Sequence, residues 1–267
     1  FIDPFVGEQS ALRWAVTLGG GIIVTLRQHQ PWTLLIVALG LTVALVSPPT
    51  TSEAQSSGDE IACGRTLYAE DFSSPASGWL RRSSDGAELG YTEDETYAIS
   101  TSIESNVVWT WAPVNGDNLP EDGFCLSVKA QERNLESNGD DGRAMALGLA
   151  FAGEPQVPSL TTFGLAPASG AYRVRDRDFD EETSADIVDW AVAEEIQGPD
   201  SWNEIRIGVR GEALHVYING ERVDAVTTET RGDVGIFIES FDDADVRGVF
   251  DDFRIRSLAE DPDDESD

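Results

Sequence analysis

Aromatic rings set among charged residues, closely spaced acids and a pair of cysteines are the side chains placed to do chemistry in this sequence. Trp109 and Trp111 alternate in Val107-Val108-Trp109-Thr110-Trp111, so they share one face of a strand with Val107. Trp190 follows an acidic stretch, Tyr172 sits in a hairpin, and charged residues surround both. Flat rings stack on pyranose faces while nearby Asp, Asn and Arg bond the hydroxyls. Trp190, Tyr172, Trp109 and Trp111 are therefore the candidate carbohydrate-binding residues, with Trp190 and Tyr172 favoured by their charged surroundings. For Trp109, Trp111 and Trp79, core packing is the commoner role of such rings.

Asp176, Asp178 and Asp180 alternate in Asp176-Arg177-Asp178-Phe179-Asp180-Glu181 and are the candidate ligands for a metal, with calcium as the cofactor they suit. The stretch lacks the glycine of a calcium loop, and Ile187 stands where that loop needs glutamate. Asp242-Asp243-Ala244-Asp245 and Asn138-Gly139-Asp140-Asp141 are further acid-rich turns. In so acidic a chain such runs also arise as plain solvated surface. His29 and His215 are the only histidines. A Ser-His-Asp centre would have to use His215, on the outward-looking face of its strand, where a surface histidine is the commoner role. The sequence carries no Cys/His zinc cluster, no glycine-rich phosphate loop and no basic patch.

Acids outnumber bases 49 to 18, a net charge of -31 that repels phosphate backbones and excludes a nucleic-acid partner. Lys129 is the only lysine. Such a surface suits salty surroundings, and equally an ordinary acidic secreted protein. Thr33 to Ser47 reads TLLIVALGLTVALVS, preceded by Arg13, Arg27 and His29 and followed by acids. That polarity leaves the N-terminus in the cytoplasm and exports the rest. The run is short for a spanning helix and fits a signal peptide, with cleavage expected after Ala54; an uncleaved membrane anchor is the alternative. Residues 1–54 are thus a targeting segment, the only expected link to a membrane; 55–63 a linker; 64–258 the folded domain; 259–267 an acidic disordered tail. In the oxidising compartment that export implies, Cys63 and Cys125 are expected to form a disulfide worth ~2–4 kcal/mol.

The exported part reads as short strands between turns. Leu67–Phe72, Thr96–Thr101, Val107–Ala112, Phe124–Gln131, Ala144–Phe151, Thr161–Ala166, Ala171–Arg175, Glu204–Arg210, Ala213–Ile218, Glu221–Val226, Val234–Glu239 and Gly248–Arg256 are predicted strands. Gly211-Glu212 and Asn219-Gly220 are tight hairpin turns. Ile205, Ile207 and Val209 face one way, against Glu204, Arg206 and Gly208; Leu214, Val216 and Ile218 oppose His215 and Tyr217. Many half-buried strands imply an all-β protein of two stacked antiparallel sheets. Ser184–Gln197 lacks clean helical spacing and reads as strand or loop.

Asp71-Phe72-Ser73-Ser74-Pro75-Ala76-Ser77-Gly78-Trp79 resembles the opening motif of bacterial extracellular concanavalin A-like (lectin/glucanase) jelly-roll domains. Ala171-Tyr172-Arg173-Val174, Trp202-Asn203-Glu204-Ile205-Arg206-Ile207, Val216-Tyr217-Ile218-Asn219-Gly220, Val234-Gly235-Ile236-Phe237 and Val249-Phe250-Asp251-Asp252-Phe253-Arg254-Ile255 resemble later motifs of that family, in order, from about Leu67 to Leu258. The resemblance implies a jelly-roll β-sandwich, with a concave sheet face and adjoining loops as contact surface. Its motifs are structural, so function stays open among carbohydrate or surface-partner recognition, glycoside hydrolysis and a purely structural ectodomain. Jelly-roll glucanases carry E-x-D-x-x-E on one strand; Glu93-Asp94-Glu95 is the nearest approach here, with wrong spacing and in a polar turn. The expectation is a secreted or surface-anchored, non-catalytic module that recognises carbohydrate or a cell-surface protein.

Overall fold

Strands half apolar on a period of two can bury those halves only against each other, and two stacked sheets do so here. The computed structural model describes residues 60–84, 86–133, 144–152, 159–228, 232–241 and 245–259. In chain order the strands are β1 (Cys63–Glu70), β2 (Arg82–Ser84), β3 (Ala87–Tyr91), β4 (Tyr97–Thr101), β5 (Val107–Trp111), β6 (Phe124–Arg133), β7 (Met145–Ala152) and β8 (Ser159–Ala166). They continue with β9 (Ala171–Asp178), β10 (Thr183–Val192), β11 (Asn203–Arg210), β12 (Ala213–Ile218), β13 (Glu221–Thr227), β14 (Val234–Ser240) and β15 (Val246–Leu258). The larger sheet runs β13-β12-β11-β6-β15-β4-β3-β2 with β1 paired to β15, and the smaller, six-stranded sheet runs β10-β9-β8-β7-β14-β5. Neighbours pair antiparallel, as in the β11–β6, β15–β6, β14–β7 and β8–β9 ladders.

The expected strands all form, and β2 and β3 are additional; β2 is short and wholly exposed, so no apolar alternation marks it. Ser184–Gln197 resolves into β10 and a following loop. Two register shifts against β9 turn both Ile187 and Val188 towards the core, which spoils the alternation by which a strand is recognised. At Asn219-Gly220 both turn residues have positive φ, 51° and 92°, as a tight hairpin requires.

Between the sheets, Leu126, Val128, Ile205, Ile207, Leu214 and Val216 of the larger sheet meet Leu147, Leu149, Phe163, Val174, Ile236 and Ile238 of the smaller. One end is aromatic. Trp79 lies edge-on to Phe72 at 5.2 Å and to Phe253 at 5.0 Å, and its Nε1 donates to Tyr68 Oη at 2.9 Å. Ser77 Oγ and Tyr91 Oη are 2.6 Å apart, and Tyr97 Oη donates to the Leu80 carbonyl. The Asp71–Trp79 and Phe250–Phe253 motifs are thus parts of one core cluster.

The outer face of the larger sheet is partly covered, which corrects two expectations. Tyr217, expected on the solvent side beside His215, does point outward but is buried. Ile61 lies over the adjacent Gly208, where a Cβ would come within 2.8 Å of it, and its amide donates to Tyr217 Oη at 2.9 Å. The Arg206 guanidinium packs 3.8 Å above the Tyr217 ring. Residues 61–63, expected as linker, are therefore part of the packed structure, with Cys63 the first residue of β1. Cys63 and Cys125 form the expected disulfide, with their Cα atoms 5.8 Å apart across 62 residues of sequence. Residues 1–59, with the expected targeting segment, and the acidic tail from residue 260 lie outside the described residues.

Glu132 ends the inward-facing row of β6 and is 1% exposed, with neither carboxylate oxygen hydrogen-bonded. Burial pushes its pKa up to about 7, the nearby Ala168 amide offsets this only in part, and the charge of Asp200 adds to the rise. The neutral acid is the form the fold favours. Its contribution is full below the carboxyl's ordinary 4.5 and is lost as pH rises through about 7.

Two predictions follow from this packing. Cys63→Ser, or reduction of the wild type, is expected to cost about 3 kcal/mol, a melting-point drop of roughly 6–12 °C in calorimetry; an unchanged melting point would refute the bridge's role. Glu132→Gln is expected to gain about 3 kcal/mol over wild type at pH 8 and almost nothing at pH 4. Parallel stability curves for the two proteins from pH 4 to 8 would contradict the burial argument.

Candidate functional site

Inward placement of Tyr172 and Val174 on β9 forces Arg173, Arg175 and Arg177 onto the opposite, outer face of the smaller sheet. The same pleat turns Val108 of β5 into the core and Trp109 and Trp111 outward. Cross-strand register lays these residues out in rows. One row runs Trp109, Phe237, Gly148, Gly164, Arg173, and the next runs Trp111, Gly235, Ala150, Thr162, Arg175, Asp186. The middle of both rows is small, so long side chains lie flat across the sheet; at Gly164 a Cβ would meet Phe237 Cζ at 2.9 Å.

Glu239 of β14 is the electrostatic centre of this face. Its Oε2 lies 2.5 Å from Arg173 Nη2, and its Oε1 lies 2.5 Å from Arg177 Nη2 and 3.8 Å from Arg175 Nη1. Arg175 also holds Asp186 through Nε at 2.6 Å and Nη2 at 2.9 Å. Those bonds, reinforced by the charges of the three arginines, hold the Asp186 carboxyl below its usual range despite partial burial. The Arg173 guanidinium sits 4.5 Å over the Trp190 ring and 5.4 Å from Phe241, and Trp190 meets Phe241 edge-on. At the other end Phe179 stacks on Trp109 at 5.2 Å and an interplanar angle of 16°. Trp109 and Trp111 pack there with Phe237, Ala150 and Leu160 in a cluster separate from the main core.

Of the four aromatics read from the sequence, Trp109, Trp111 and Trp190 share this outer face, the first two on edge strand β5 and the third on edge strand β10. Four strands lie between those edges, which are therefore roughly 24 Å apart at the usual inter-strand spacing. The arginines and Phe179 lie between them. Tyr172 is the correction: it is 5% exposed inside the sandwich, packs on Phe163 and donates to Asp224 Oδ2 at 2.9 Å. Charged neighbours in sequence made it look exposed, because on a strand they point to the opposite face. Its hydroxyl pKa is raised, chiefly by that burial.

The three candidate calcium ligands are not gathered. Asp176 accepts from Thr161 Oγ1 at 2.5 Å, and Asp178 Oδ1 accepts the amides of Asp180 and Glu181. Among the described residues no three His, Cys, Asp or Glu side chains converge as a metal shell. The acid-rich turns at 138–141 and 242–244 lie outside the described residues. Grooves of about 390 Å³ beside Ser83, Glu88, Ser100 and Arg247, and of about 290 Å³ beside Glu70, Asp71, Asp252 and Arg254, are lined by no Trp, Tyr or Phe ring for a sugar to stack on.

Sequence reading missed Arg173, Arg175, Glu239, Phe179 and Phe241 as parts of the site. A signal was present in Arg173-Val174-Arg175-Asp176-Arg177, three arginines at period two in a chain with few bases. Glu239, some sixty residues away, carried none. Chemically the face offers flat rings, flat guanidiniums and many N–H donors. Its two central carboxylates are both engaged by arginine, and Asp186 is held ionised rather than as a proton donor.

No protein-family model matches the sequence, and comparison with curated proteins finds no match. Solved structures do match in fold. A Bacillus subtilis protein of unknown function with a galectin-like fold is 13% identical, with a TM-score of 0.55 over 76% of this chain and 100% of that one. SCLam, a non-specific endo-β-1,3(4)-glucanase of family GH16, is 8% identical, with a TM-score of 0.52 over 75% and 95%. An endo-1,3-β-glucanase from Streptomyces sioyaensis is 12% identical, with a TM-score of 0.51 over 77% and 100%. The chain therefore has the jelly-roll sandwich fold of the galectin-like and GH16 proteins.

Glu239→Gln removes the shared counter-charge of the buried guanidiniums. It is expected to destabilise by about 3 kcal/mol in urea unfolding. A change below about 0.5 kcal/mol would mean that the arginines do not depend on it.

Proposed function

We propose that this chain is an exported, non-catalytic module that recognises carbohydrate on the outer face of its smaller sheet. One observation carries the reading: Trp109, Trp111 and Trp190 share that face with Arg173, Arg175, Arg177, Asp186 and Glu239. Rings for stacking beside charged hydrogen-bonding groups are what a saccharide site needs. Export is supported by the apolar run at 33–47 with its preceding arginines, and by the disulfide. Two of the similar structures are enzymes acting on β-glucans, but at this identity the likeness concerns fold alone. A hydrolase would need one protonated carboxyl opposite a free carboxylate. Glu239 and Asp186 are instead bound by guanidiniums, which favours binding over cleavage.

The test is a broad glycan array probed with the full chain, once with calcium and once with chelator. Saturable binding to one sugar class is expected, weakened about tenfold or more by Trp109→Ala or Trp190→Ala and unchanged by Tyr172→Phe. Silence across the array from folded protein would overturn the reading in favour of a protein-binding or structural ectodomain. Loss of binding in chelator alone would bring calcium into the site.

A further inference from the structure

Donors outnumber acceptors on the outer face of the smaller sheet. Three guanidiniums converge on Glu239, and among the described residues the other carboxylate paired with them is Asp186. Arg177 shows the imbalance most clearly. Its side chain is 11% exposed and its Nη2 is close to Glu239 Oε1, yet neither Nε nor Nη2 has an aligned hydrogen-bond acceptor. Trp109 Nε1 is likewise buried without an acceptor, and Trp109 stacks on Phe179, two residues after Arg177. Buried donors without acceptors cost free energy that an acceptor-rich ligand recovers.

Resting on the carbohydrate reading above, we infer that the ligand is an anionic saccharide, whose carboxylate or sulfate oxygens accept from the Arg177 guanidinium and Trp109 Nε1 while a sugar face lies along the neighbouring rings. A carboxylate or sulfate group is acceptor-only and matches the planar guanidinium fork, whereas a neutral hydroxyl brings its own donor to a face already rich in donors. The net charge of -31 opposes a polyanion at long range, but at physiological salt that field is screened within about 8 Å, while contacts to half-buried arginines are screened far less. On the arginine face such a ligand meets three guanidiniums together.

The full chain would be run by affinity electrophoresis in 0.15 M salt through gels containing polygalacturonate, dextran sulfate, or neutral laminarin or dextran. Retardation by polygalacturonate, dextran sulfate or both, and not by the neutral polymers, is expected; which of the two retards it identifies the anionic group. Arg177→Gln and Trp109→Phe, which keep the bulk of each side chain, are each expected to raise the dissociation constant about tenfold or more. A wild-type melting point for each variant separates this from misfolding, and Arg177→Lys tests the fork against bare charge. Binding to neutral polymers only would overturn this inference and leave the carbohydrate reading standing. Retardation by no polymer, with a silent glycan array, would overturn both. Polyanion binding undiminished in folded Arg177→Gln and Trp109→Phe would place the anion elsewhere and overturn the assignment.

Discussion

A pleated strand gives its side chains two directions only, and in the smaller sheet both are committed. Val174 and Tyr172 enter the sandwich, so Arg173, Arg175 and Arg177 must leave it. Leu147 and Leu149 enter, so Ala146, Gly148 and Ala150 form the outer floor. Those small residues let guanidiniums from β9 cross two strands to reach Glu239 on β14. Core and candidate site are thus two sides of one alternation, and a slip of one residue in β9 would destroy both.

Burying several arginines around one carboxylate is costly in desolvation and is repaid only with good geometry. Here Glu239 takes Arg173 and Arg177 on different oxygens, Asp186 takes Arg175 through two bonds, and Trp190 and Phe241 flank Arg173. The arrangement orients the guanidiniums in advance, and preorganised groups bind with less ordering cost. It also explains how a chain with few bases keeps a local positive centre amid many acids.

The outer face of the larger sheet is partly covered by the first described residues. Ile61 covers Gly208, the disulfide ties β1 to β6, and Arg206 packs on Tyr217. Ile61 and Cys63 thus lie on the outer side of the larger sheet, and the arginines on the outer side of the smaller.

Much of this fold was legible in the chain because its determinants are local. Alternation in Glu204–Arg210 and Ala213–Ile218, the Asn219-Gly220 turn and the Phe250–Phe253 motif each encode their strand or turn within a few residues. Trp109 and Trp111 were legible as a same-face pair for the same reason. Which face they take was not, because inside and outside on a strand differ only by the sheet stacked against it. Hence Trp109 and Trp111 lie outside the core where core packing was the commoner expectation, and Tyr172 lies inside it despite charged neighbours. The link from Arg173 to Glu239 joins residues 66 apart in sequence, and only the β9-β8-β7-β14 strand order brings them together. Sequence determined which residues share a face; tertiary structure decided what each face meets, because contact between strands depends on register and stacking that no local pattern records.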